Sequence, residues 1–259
     1  MENKKIILIT RAYDNLKIKR FIERFYKDDK KVFEKIIVLV DVSHKKEPYY
    51  TQAVLSRIEN KDILDILEIL HVQPYGIASG ALNIGLTKAF DTENKPDYIL
   101  IASPEVELEK KHVDEMSKIL SKNEKLLVVG YALKAFGKGH IKTKNGSNAL
   151  KVPWNTCAMW NAELFYKNVG AFNIICDCSN FLGKDEHKKA LHGMEDALAI
   201  ALAKIKNPSL KIKLLWENNP KWNVDISEKE EQTDKMERKS KVYKKYIKLF
   251  EISENIKFD

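Results

Sequence analysis

The segment Pro74-Tyr-Gly-Ile-Ala-Ser-Gly-Ala-Leu-Asn-Ile-Gly-Leu86 gathers residue types suited to holding an anion. Small side chains at Gly76, Ala78, Ser79 and Gly80 let a helix N-terminus come close to a bound group, and Asn83 follows about one turn later. Free N–H groups and the positive end of the helix dipole would face that group. The apolar run Tyr98-Ile-Leu-Ile-Ala102 reads as a buried strand that ends on Ser103-Pro104-Glu105. Open α/β sheets bind ligands just beyond the C-terminal ends of their strands. These residues together predict a pocket for a nucleoside diphosphate group.

The rest of the chain supplies the elements that would position such a pocket. Apolar runs over 5–9, 36–40, 67–72, 98–102 and 125–129 predict buried strands, the second ending on Asp41. Helical spacing predicts helices over 15–26, 49–58, 78–90 and 109–121 between them. Repeated β-α units with continuously apolar strands predict a mostly parallel sheet flanked by helices on both faces. The pattern changes after 129. Residues 135–148 are polar and glycine-bearing, with Asn145-Gly146 predicting a hairpin turn between 140–143 and 149–152. This segment suits either a lid over the pocket or a surface hairpin. An aromatic, β-forming stretch follows over 152–160, then a long helix over 186–206, a strand over 211–216 and a charged helix over 229–250. The last carries Met236, Tyr243, Ile247 and Phe250 on one stripe. The predicted organisation is a main domain over 1–225 and a charged C-terminal helical appendage over 226–259.

Composition narrows the function classes. The 259 residues, 44% hydrophobic, suit one large α/β domain with an appendage. A net charge of +8 raises nucleic acid as a partner, but only Arg11, Arg20, Arg24, Arg57 and Arg238 are arginines. Arginine is the usual choice for forked phosphate and base contacts. The lysines alternate with acids along helical stretches, as on solvated faces, so nucleic acid is not expected. Attraction to anionic substrates or acidic lipid at a membrane periphery fits the charge better. No apolar run approaches the ~18 residues of a membrane-spanning helix. Met1-Glu-Asn-Lys-Lys leads directly into a strand-like run, which predicts a cytoplasmic protein without a signal peptide. The three cysteines fit a reducing compartment, and Cys176-Asp-Cys178 lacks the second pair of a zinc site. Asn145-Gly-Ser147 is read only as a turn, and there is no Gly-x-Ser-x-Gly elbow or Walker loop.

Several segments in order resemble the GT-A glycosyltransferases, in particular the family-2-like inverting group. Ile9-Thr-Arg-Ala-Tyr-Asp14 resembles that group's first strand and its Pro-Thr-Tyr-Asn end, with Arg11 where proline is usual. Val40-Asp-Val-Ser43 resembles its Asp-Asp-Gly-Ser motif, and Gly76 with Ala81-Leu-Asn-Ile-Gly-Leu86 its Gly-led Ala-x-Asn-x-Gly-Leu segment. Ser103-Pro-Glu105 stands where the family has its metal-binding Asp-x-Asp. Trp160 to Phe172 resembles the segment before the acceptor site, and Gly193-Met-Glu-Asp-Ala-Leu198 the Glu-Asp motif that opens a helix. The resemblance covers about residues 5 to 216.

It implies a GT-A, Rossmann-like fold with a small antiparallel acceptor-side region, and transfer of a sugar from a UDP- or GDP-type nucleotide sugar to a saccharide, lipid-linked or small polar acceptor. Ala12, Tyr13, Asp14, Asp41, Ser43, Gly76, Ser79, Asn83 and Ser103 would line the donor site. Asn83 would hold either the donor or a loop. Trp154, Asn155 and Trp160 would face the acceptor, unless the indoles are core. Asp196 would be the base that takes the acceptor's hydroxyl proton, with Glu195 orienting the acceptor. The bland alternative is that both acids cap a helix. Mg²⁺ or Mn²⁺ would fall to Glu105 alone, because Ser103 replaces the first aspartate, and no histidine follows His192. Arg11 and Lys134, Lys138, Lys142 and Lys144 are candidate substitutes for the cation. Two other functions fit less well: a non-catalytic nucleotide-sugar-binding or scaffold relative, and, more weakly, a nucleotidyltransferase.

Overall fold

The computed structural model describes residues 4–12, 15–26, 31–41, 47–72, 78–93, 95–135, 138–140, 150–172 and 195–223. They build a seven-stranded sheet in the order β3-β2-β1-β4-β8-β5-β9 and a separate two-stranded hairpin, β6-β7. The strands are β1 (Ile6–Ala12), β2 (Lys35–Asp41), β3 (Leu67–Val72), β4 (Tyr98–Ala102), β5 (Leu126–Tyr131), β6 (Lys134–Ala135), β7 (Lys138–Gly139), β8 (Cys157–Asn161) and β9 (Lys211–Leu215). The helices are α1 (Asn15–Glu23), α2 (Glu47–Leu55), α3 (Lys61–Leu64), α4 (Ala78–Phe90), α5 (Lys110–Ser121), α6 (Ala162–Asn168) and α7 (Glu195–Lys206). This is the mostly parallel, helix-flanked sheet that the alternating pattern predicts. The 226–259 appendage lies outside the described residues.

Strand alternation sends successive side chains to opposite faces, and each face meets its own helices. One face carries Ile7, Ile9, Ile37, Leu39, Ile99, Ile101, Ala158 and Trp160, packed with residues of α4, α6 and α7. The other carries Leu8, Ile36, Val38, Leu100, Met159 and Cys157, packed with residues of α1 and α5. Leu127 and Val128 fall on one face although adjacent, because the β5–β9 register shifts between Leu126 and Val128. Two glycines are set by close approach. A Cβ on Gly85 would meet the Ile9 methyl at 2.9 Å, so this residue lets α4 lie close against the sheet. A Cβ on Gly130 would lie 2.5 Å from the Cys157 carbonyl oxygen. At the exposed edge of β9, Lys211 and Lys213 point outward and discourage further strand pairing.

β8 is the exception to the parallel rule. It runs antiparallel between β4 and β5, pairing Cys157 with Ala102, the last residue of β4. Its first residues therefore lie at the edge where the other strands end. Asn161 ends β8 and caps α6, its side chain accepting the Leu164 N–H at 3.0 Å.

Candidate active site

The parallel strands end on one edge, and several of the candidate residues lie there. Arg11 and Ala12 end β1, Asp41 ends β2 opposite Val72, and Ser103 follows β4. The Ser103 N–H donates to the Thr156 carbonyl at 3.0 Å, so the turn before β8 lies beside the exit of β4. Asn155 sits in that turn and links three buried groups. Its backbone N–H donates to Asp196 Oδ2 at 2.9 Å, and its side-chain Nδ2 donates to Glu195 Oε1 at 3.3 Å. Its Oδ1 accepts the Trp160 indole N–H at 3.0 Å.

Glu195 and Asp196 open α7, where the dipole favours negative charge. They are only 7% and 3% exposed, yet each has hydrogen-bond partners. Asp196 Oδ1 also accepts the N–H of Ala197 at 2.7 Å. Backbone donors thus fix the Asp196 carboxylate in one orientation, anchored to the edge of the sheet. An isolated buried carboxylate would be costly; this one is stabilised by charge-assisted bonds.

Asn83, on the second turn of α4, uses its whole amide on the chain. Its Nδ2 donates to the Phe172 carbonyl and its Oδ1 accepts the Phe172 N–H, both at 2.8 Å. Of its two expected roles, the structure gives the loop-holding one. Ser79 is fully buried in the first turn of α4. Ala12 is 4% exposed with its methyl in the core face opposite Arg11, which leaves only its backbone for a donor. The acceptor-platform expectation for the indoles is corrected: Trp154 and Trp160 are 1% and 0% exposed, and a stacked sugar needs an open ring face. Trp160 packs edge-on to Phe165 and Phe172, and Trp154 lies against His140, with ring centroids 3.7 Å apart. Tyr13, Asp14, Ser43, Gly76, Lys142 and Lys144 lie outside the described residues, as does the 145–146 turn.

Two supports were not foreseen. His140 accepts the Leu133 N–H on Nδ1 at 2.9 Å and donates from Nε2 to the Val152 carbonyl at 2.9 Å. It thereby ties the exit of β5 to the segment that leads to Asn155. After β9 the chain turns at Asn218, whose φ of 53° suits asparagine better than most residues, and passes beside β4's exit loop. The Glu107 N–H donates to the Lys221 carbonyl and the Asn223 N–H to the Glu105 carbonyl, both at 2.8 Å. The Trp222 indole N–H lies 3.4 Å from Glu105 Oε2, and Asn223 Nδ2 donates to Glu107 Oε1 at 2.8 Å.

These contacts test the metal expectation. A hard divalent cation wants several oxygen ligands, usually carboxylates, converging on one point. At β4's exit the first position is neutral Ser103, whose Oγ accepts the Glu105 N–H at 3.4 Å. The Glu105 carboxylate faces an indole N–H and Glu107 an amide, so the acids are turned to hydrogen-bond donors of the 216–223 segment. No cluster of three potential metal ligands occurs among the described residues. The donor set of this loop does not fit such a cation. Nor is Cys157 a nucleophile: burial pushes its thiol up to about 12. No helix among the described residues is long and apolar enough to cross a membrane.

Comparison with known proteins bears on the fold. No family model matches the chain, and no curated protein matches it in sequence. Among solved structures, the chain is similar to a glucosyl-3-phosphoglycerate synthase from Mycobacterium tuberculosis in complex with Mg²⁺ and UDP. The TM-score is 0.61 at 12% identity, covering 97% of this chain and 81% of that one. It is similar to a mannosyltransferase from Pyrobaculum calidifontis in complex with GDP-Man and Mn²⁺, with TM-score 0.60 and 12% identity over 87% of this chain. The chain spans 59% of that protein's length. A 4-diphosphocytidyl-2C-methyl-D-erythritol synthase from Anaerococcus prevotii gives TM-score 0.52 at 12% identity, over 93% of this chain and 97% of that one. The mixed, mostly parallel seven-stranded sheet with its flanking helices is that of the GT-A glycosyltransferase structures.

Proposed function

We propose that this protein is a nucleotide-sugar-dependent glycosyltransferase that works by inversion. The observation that carries the reading is the buried Glu195–Asp196 pair, fixed through Asn155 to the sheet edge where Arg11, Asp41 and Ser103 also end. The donor, of UDP or GDP type, would lie along that edge beside Asp41 and the first turn of α4. An acceptor hydroxyl, from a saccharide, a lipid-linked sugar or a small polar molecule, would approach Asp196. Its oxygen bonds to the anomeric carbon as its proton passes to Asp196. The bond from that carbon to the diphosphate oxygen breaks, and its electron pair leaves with the nucleoside diphosphate. Glu195, tied to Asn155, would orient the acceptor.

A panel of UDP- and GDP-sugars, followed for transfer and for donor hydrolysis, tests this. Asp196→Asn should retain donor affinity and lose turnover by roughly 10²–10⁴, the usual worth of a general base. A folded variant that turns over at the wild-type rate removes Asp196 from this role. Donor binding without any turnover by the wild type would favour a non-catalytic binding protein. The near end-to-end overlap with the cytidylyl-type synthase favours a nucleotidyltransferase as the second reading. Pyrophosphate release from a nucleoside triphosphate would support it.

A further inference from the structure

Resting on the glycosyltransferase reading, we infer that Arg11 holds the donor's diphosphate and stabilises the departing oxygen, so that transfer needs no divalent cation. The juxtaposition behind this is a half-buried arginine at the end of β1, level with a β4 exit loop whose ligands do not suit a metal.

Placement comes first. Ile7 and Ile9 lie on the face covered by α4 and α7, and Leu8 and Ala12 on the other. Alternation puts Arg11 on the first face, with α4, which begins at Ala78, and α7, which begins at Glu195. Arg11 pairs with Leu39 of β2. Ile9 pairs with Ile101, so two residues further along both strands Arg11 comes level with Ser103. Ser103 in turn is bonded to Thr156, next to Asn155 and its two carboxylates. Arg11 therefore stands between the end of β2, where Asp41 lies, and the position that would carry the first metal aspartate.

The chemistry follows from charge. A nucleotide sugar brings a doubly anionic diphosphate to an edge that already holds Glu195 and Asp196. A cation must offset that charge, and more so as the bond to the sugar breaks and the phosphate oxygen gains negative charge. Guanidinium is permanently charged and presents a planar fork of N–H donors that matches phosphate oxygens. The Arg11 Nε is already shielded from solvent, where a charge acts more strongly than in water. In the step itself, the acceptor oxygen bonds to the anomeric carbon and its proton goes to Asp196. The electron pair of the broken bond stays on the β-phosphate oxygen, which accepts a hydrogen bond from Arg11.

Calorimetric titration of the full chain with UDP, GDP, uridine and guanosine, in EDTA and then in Mn²⁺, tests the assignment. One nucleoside diphosphate should bind in EDTA with the affinity it shows in Mn²⁺. Arg11→Gln should weaken that diphosphate by about 10- to 100-fold, the worth of a hydrogen bond to a charged group, and leave its nucleoside unchanged. Arg11→Lys, which keeps the charge without the fork, should fall between. A purely structural role would weaken nucleoside and diphosphate alike. Wild-type diphosphate binding that appears only with Mn²⁺ overturns the inference and leaves the glycosyltransferase reading standing. It is also overturned if Arg11→Gln binds the diphosphate as the wild type does. No binding of UDP or GDP in either buffer overturns the wider reading, and this inference with it.

Discussion

Replacing Asn155 by alanine should unfold the protein at a markedly lower temperature, for a reason confined to two bonds. The Trp160 indole is 0% exposed and its N–H donates to Asn155 Oδ1 at 3.0 Å. Alanine offers no acceptor there, and a buried donor left unsatisfied costs about 1–3 kcal/mol. The bond from Asn155 Nδ2 to Glu195 is lost as well, and a hydrogen bond to a charged group contributes about 1.5–3 kcal/mol. The Glu195 bond is the longer of the two, so the lower end applies to it and the total is about 2.5–4.5 kcal/mol. For a chain of this size each kcal/mol moves the midpoint by about 2–4 °C, so thermal unfolding by circular dichroism should shift down by about 5–18 °C. Trp160→Phe separates the terms. It keeps most of the ring but removes the donor, so Asn155→Ala should cost at least 1 kcal/mol or so less in that background, a coupling within the usual range for contacting residues. If Asn155→Ala melts within about 2 °C of the wild type, neither Glu195 nor the Trp160 indole is braced through this side chain.

Two further outcomes test the packing around the site. Burial holds the His112 imidazole below the usual histidine range, with Lys111 adding to the effect, while its Nδ1 accepts the Glu109 N–H at 2.9 Å. The unfolded chain therefore takes up this proton first. Stability should fall as the pH drops below about 6.5 and level off once the folded form also protonates. His112→Asn, melted between about pH 7 and 5, should show a shallower slope; an unchanged slope would remove His112 as the source. Gly130→Ala should destabilise by about 1–3 kcal/mol or more, because its methyl would lie 2.5 Å from the Cys157 carbonyl, a backbone atom held by β8. Chemical denaturation with a midpoint equal to the wild type would show that β8 can shift.

The strands that the sequence marks best are those buried on both faces. β2 and β4 begin and end within a residue of the predicted runs, because nothing but apolar side chains fits between two helix layers; β3, the half-buried edge strand, matches its run too although it carries Glu68 and His71. β1 runs on to Ala12, beyond the predicted Ile9, because Thr10 and Arg11 still pair with Val38 and Leu39. Polar residues at a strand's functional end look like loop. α6 was missed, although Asn161 is a good cap, because the segment before it reads as continuous strand. The placing of β8 between β4 and β5 was beyond reach too, since pairing order depends on contacts distant in sequence. At the site, the residue types were legible but not their orientation. Asn155 was legible as a polar site residue, but its bonds to Glu195 and Asp196 span 40 and 41 positions. A tryptophan is equally at home in a core or under a sugar, so burial alone could decide for Trp154 and Trp160. His140 gave no signal, since a lone histidine in a polar stretch resembles any surface residue.

The backward run of β8 has a consequence for how the protein is made. β4 and β5 follow one another along the chain but stand one strand apart, so the sheet has an open slot until Cys157–Asn161 fills it. A nascent chain that stops before this point exposes two unpaired, apolar strand edges, the kind of surface that recruits other chains into aggregates. The same insertion delivers Asn155, and through it the two carboxylates of α7, to the sheet edge. Closure of the slot and anchoring of the two carboxylates at the sheet edge thus depend on the same insertion.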